Sequence, residues 1–82
     1  MHEPVYAPGQ AIGALEAAMR EPQPPGQTLR AVGVKVNEQV TPGHSMMRRL
    51  ETTAQEYGFS AHVDRYNAND RTTHVWVLNE RD

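Results

Sequence analysis

An 82-residue chain makes one domain, and a domain of that size buries only about 60% of the surface its unfolded form exposes, or slightly more. With five aromatic residues among many Val, Ala, Leu and Met, the core must be compact, which argues against a deep cofactor pocket. A net charge of -2 and a pI of about 6.0 exclude a polyelectrolyte surface for nucleic acid or anionic membrane, and the absence of cysteine excludes disulfides and thiolate metal sites.

No apolar run approaches the roughly 20 residues that span a bilayer. The opening Met1-His2-Glu3-Pro4-Val5-Tyr6 lacks the basic and apolar regions of a signal peptide. A cytoplasmic protein without membrane contact is the expectation. The Arg excess over Lys carries no mechanism.

Residues 1–8 form an edge strand or a docked arm, because Pro4 and Pro8 bracket Val5 to Ala7 and proline removes a ladder donor. Gln10 to Arg20 reads as a helix with Ile12, Leu15 and Met19 in one stripe. Pro8 suits its first turn and Pro22 ends it. The segment 21–27 holds three prolines and a glycine and serves as a stiff connector.

Thr28 to Val36 is a strand with Val32, Val34 and Val36 on one side and Leu29, Ala31 and Lys35 on the other. The second side is only partly apolar, which fits a central strand with a lightly covered reverse face. Gly33 marks a bulge or a close neighbour. Thr41 is the expected N-cap of a second helix and Pro42 its first residue. Met46, Met47, Leu50, Ala54 and Tyr57 form its buried face, with Met46 at the rim. Gly58 makes the left-handed stop and Phe59 packs back.

Ser60 to Tyr66 and Thr72 to Asn79 pair as a hairpin around Asn67-Ala68-Asn69-Asp70. Placing Val63 opposite Val75 gathers Ala61, Val63, Val75 and Val77 on one face. His62, Asp64, Tyr66, His74, Trp76 and Leu78 then share the other. A slip of one residue would mix the sets and bury His74.

The predicted order is therefore (β)-α-β-α-β-β. It describes an α+β two-layer sandwich with both helices on one face of a three- or four-stranded sheet ending in a β-hairpin. The order resembles the C-terminal domain of translation initiation factor three and some small RNA-binding domains, a likeness of fold that carries no function. Ala54-Gln55-Glu56-Tyr57-Gly58-Phe59 before a hairpin also resembles the cadence of single-strand-binding domains named for an Arg-x-x-x-His motif. Met47 and Glu51 stand where those two residues would be, so no site is transferred.

The outward hairpin face is the main functional candidate. Tyr66, His62, His74 and Trp76 combine aromatic rings with polar groups, the composition of interface anchors. Two histidines and Asp64 could also ligate a metal. The pairing rests on an inferred register, so a His–Asp hydrogen bond on a half-solvated face is the simpler reading and no metal is assigned.

Arg65, Asn67, Asn69 and Arg71 at the hairpin tip are capable phosphate and base readers. Asp64 and Asp70 lie next to the two arginines in the chain and are expected to cancel much of their field. Arg48 and Arg49 add a basic spot on the second helix, with Arg30 and Lys35 on the preceding strand. Glu38, Glu51 and Glu56 offset them, so from Thr28 to Val77 the basic side chains outnumber the acidic by one, six against five.

For catalysis the inventory is thin. Ser45 and Ser60 lie in no Gly-x-Ser-x-Gly elbow, His44 beside Ser45 belongs to a helix start, and no Gly-rich phosphate loop is present. No catalytic residue and no cofactor is assigned. The expectation is a non-enzymatic protein-binding module, such as a bacterial or phage accessory or inhibitory protein. The alternative is single-stranded nucleic-acid binding through the same face and tip. A homodimer is compatible with both.

Overall fold

A computed structural model describes residues 4–80, with the backbone alone for residue 80. Residues 1–3 of the predicted arm lie outside the described residues. The elements run β1 (Val5–Tyr6), α1 (Pro8–Arg20), β2 (Leu29–Val36), α2 (Ser45–Glu56), β3 (Ser60–Val63) and β4 (Thr73–Glu80). They build the two-layer α+β sandwich, with four strands in the order β1-β2-β4-β3.

β1 runs parallel to β2, whereas β4 is antiparallel to both β2 and β3. Hence β1, β2 and β3 point the same way, and β4 is inserted between the last two. Both helical crossovers advance in one direction across the sheet. Connections of a single hand then place both helices on the same face. That topology leaves the opposite face without a helical layer.

The covered face is the core. Ala11, Ile12, Leu15 and Met19 of α1 and Met46, Met47, Leu50 and Ala54 of α2 pack on Val36, Val75 and Val77. Met46 is buried to 3% exposure, well inside the stripe whose rim it was expected to occupy.

α1 starts at Pro8, two residues before the predicted Gln10, because proline at the first position needs no hydrogen-bond partner for its nitrogen. Gln10 reaches back to accept the Ala7 amide at 3.3 Å. At the other end Arg30 of β2 donates to the Ala18 carbonyl at 2.7 Å and also to the carbonyl of Glu21. A cation on the last carbonyls complements the negative end of the helix. Arg30, expected in a solvent-facing basic spot, is therefore a part-buried helix cap with its side chain 14% exposed. Its position on the covered face, in step with Val32 and Val34, turns it towards α1.

The entry to α2 also differs from expectation. The Thr41 carbonyl accepts the His44 amide at 3.0 Å in a turn, and the helix begins at Ser45 with His44 as its N-cap. His44 Nδ1 accepts the Met46 amide at 3.0 Å, so its proton sits on Nε2, which donates to Glu38 at 3.0 Å. Thr41 lost the cap because its carbonyl closes a turn onto His44, whose ring nitrogen then caps the helix.

The exit follows the expectation. Gly58 has φ +79°, its amide donates to Gln55, and the Phe59 amide donates to Ala54 at 2.9 Å. This pattern is a Schellman motif, with Phe59 buried against the core. The loop before α2 is pinned to β4 by buried Thr73, whose hydroxyl donates to Glu38 and accepts the Val40 amide.

Candidate functional site

The open face of the sheet is built from alternate residues of β2, β3 and β4. The Val63–Val75 pair is present, and with it His62 opposite Trp76 and Ser60 opposite Leu78. On the other side Trp76 faces Gly33, His74 faces Lys35, and Leu78 faces Ala31. One transverse row therefore reads Gly33, Trp76, His62. Val75 and Val77 are fully buried, while Trp76 and Leu78 are half-buried and His74 is exposed. Leu29 and Val5 extend the face with 55% and 48% of their surfaces exposed.

Within the row, the His62 and Trp76 rings stack with centroids 4.4 Å apart and planes 24° from parallel. Opposed side chains stand upright from the sheet. The indole therefore turns one face to His62 and the other towards β2 above Gly33. Ser60 Oγ lies 2.8 Å from His62 Nε2 and fixes that ring from the strand edge.

His74 occupies the space that Gly33 leaves. A Cβ on residue 33 would stand 2.5 Å from His74 Nε2, so glycine here is the close-neighbour case expected from the sequence. The other ring nitrogen, Nδ1, lies 3.3 Å from Asp64 Oδ2. The result is a shallow groove lined by Ala31, Val32, Gly33, Asp64, His74 and Trp76. It offers an indole edge, an imidazole nitrogen and a carboxylate beside an apolar floor. Among the described residues no three His, Asp or Glu side chains are grouped for a metal ion.

The alternation that groups Tyr66 with His62 and Trp76 stops at Asp64. Pairs 63–75 and 67–72 leave three residues, 64–66, facing two, 73 and 74. The extra residue ends β3 at Val63, three residues short of the predicted Tyr66. Tyr66 sits half-buried on this irregular segment.

At the tip the Asn67 side chain accepts the Asn69 amide at 2.9 Å. Asp70 accepts the Thr72 hydroxyl at 2.7 Å and meets Lys35 at 3.4 Å. The Thr72 hydrogen bond, assisted by Lys35, holds the Asp70 carboxyl below its ordinary range. Asp64 and Asp70 thus engage His74, Thr72 and Lys35 in place of Arg65 and Arg71. Among the described residues those two arginines form no ion pair, and Arg71 adopts a left-handed backbone at φ 57°. Arg48 and Arg49 are exposed on α2 beside Thr52 and Thr53.

Sequence reasoning missed Arg30 and Thr73 as structural hubs and His44 as a cap. The alternation along β2 put Arg30 on the valine side, a signal that could have turned it inward. Nothing local marks Thr73, whose partners lie more than thirty residues away. In comparison with known proteins the chain matches no family model, no curated protein and no solved structure.

Proposed function

We propose that this chain is a small protein-binding module that docks its partner on the open face of the sheet. The observation that carries the reading is a helix-free sheet face holding a half-exposed Trp76, stacked on one side and bordered by a recess on the other. Leu29, Leu78 and Val5 make the surroundings apolar, while His74 and Asp64 supply polar groups that set orientation. Aromatic anchors among polar neighbours are the usual energetic centre of an interface. An apolar patch of Leu29, Ala31, Trp76 and Leu78 on so small a protein calls for a cover.

Affinity capture with the wild-type chain and with Trp76→Ala tests this. Loss of an anchor at the centre of an interface weakens binding by about thirtyfold, about 2 kcal/mol. Tyr66→Ala is expected to weaken it less, since its segment leaves the regular sheet. Both variants keep the far-UV circular dichroism of the wild type. Undiminished capture by Trp76→Ala rules the face out.

Single-stranded nucleic-acid binding is the second reading, favoured by the absence, among the described residues, of carboxylate partners for Arg65 and Arg71. Bases would stack on Trp76 and the strand would pass the tip, where Asn67 and Asn69 also lie. Binding of an unstructured oligonucleotide that falls steeply with salt, and falls again in Arg65→Ala and Arg71→Ala, would favour this reading.

A further inference from the structure

The two edges of the sheet are unlike. β1 is two residues long and lies between Pro4 and Pro8, which blunts it against further pairing. β3 has four residues, Ser60 to Val63, with no proline, no lysine and no bulge inside it. The Asp64 amide donates to the His74 carbonyl at 2.9 Å, which makes 64–74 a hydrogen-bonded pair. Antiparallel pairs alternate, so 62–76 and 60–78 are bonded in the same way. Ala61 and Val63 therefore turn their amides and carbonyls away from β4, towards the open edge.

The geometry points to a second copy of this chain as the occupant of that edge, joined by antiparallel β3–β3 pairing into a continuous eight-stranded sheet. A twofold axis at His62 sets Ala61 opposite Val63 of the second copy, and Val63 opposite its Ala61. The outward groups of these residues then make four main-chain hydrogen bonds, and a small side chain meets a larger one at both places. Ser60 faces Asp64 of the second copy on the open side of the sheet.

Charge supports the same partner. The groove beside the edge is lined by Pro42, Met47, Ala61, His62, Val63 and Trp76, with Glu51 as its acidic group. Pairing brings Arg65 of the second copy past Ala61 towards this groove. Neither Glu51 nor Arg65 forms an ion pair among the described residues. The twofold axis makes the complementary contact twice. The pairing uses the main chain of β3, so the groove beside Gly33 on the other side of Trp76 is left open.

Sedimentation equilibrium over micromolar to millimolar concentrations tests the proposal. The wild type is expected to approach twice its 9.2 kDa mass. Ala61→Pro removes one outward amide and leaves the β3–β4 ladder intact, so it is expected to remain folded and monomeric. A wild type that stays monomeric at millimolar concentration overturns the proposal, as does a folded Ala61→Pro that dimerises normally.

Charge reversal gives a readout that does not depend on the proline variant folding. Arg65→Glu and Glu51→Arg are each expected to dimerise about tenfold more weakly than wild type, and an equimolar mixture to recover as a heterodimer. Single variants that dimerise like the wild type, or a mixture that fails to recover, overturn the proposed pairing.

Discussion

At the scale of single residues, the tip and the open face are governed by side chains that hydrogen-bond across the strands. Asp70 shows how. Its carboxylate takes the Thr72 hydroxyl and faces Lys35, and its proton affinity is lowered. A carboxyl whose folded-state pKa is depressed contributes stability above its unfolded pKa, and this contribution is lost as pH falls through the folded value. Acid is therefore expected to loosen the tip below the ordinary aspartate range. Thr72→Val removes the largest cause of the shift, and a carbon-detected NMR titration should then show Asp70 protonating at higher pH than in the wild type. An unchanged titration would remove the hydroxyl as the cause. Gly33 works by the opposite means, since the missing side chain admits the His74 ring that shapes the groove.

At the scale of elements, the chain's periodicity carried most of the architecture. Apolar spacing placed α1 and α2, Gly58 and Phe59 placed the end of α2, and hydrophobic matching selected the register of the final hairpin. That register brings His62, His74, Asp64 and Trp76 together on one face. The parts that differed depend on contacts between distant segments. Tyr66 leaves the alternation because the chain has one residue more on that side of the hairpin. Arg30 became a cap because its strand delivers it to the C-terminal end of α1. Arg30→Met keeps an apolar stem but loses the hydrogen bonds to Ala18 and Glu21. It is expected to destabilise the protein by about 1–2 kcal/mol in urea unfolding, with faster amide exchange in the last turn of α1. Unchanged stability and exchange would show that the cap is dispensable.

For the whole molecule, the order of strands accounts for the open face. Two crossovers advancing in one direction place both helices on one side, and the inserted β4 carries its valines to that side and Trp76, His74 and Leu78 to the other. A domain this small has no third layer to cover what remains, and no described helix is long and apolar enough to cross a membrane. The most direct test is site-specific photo-crosslinking in the cells that make the protein. A photoreactive residue replaces Ala31, exposed on the open face, or Ala17, exposed on α1. The expected result is a discrete protein adduct from position 31 that disappears with Trp76→Ala, and none from position 17. An adduct from position 17 alone, or one from position 31 that survives Trp76→Ala, would contradict it.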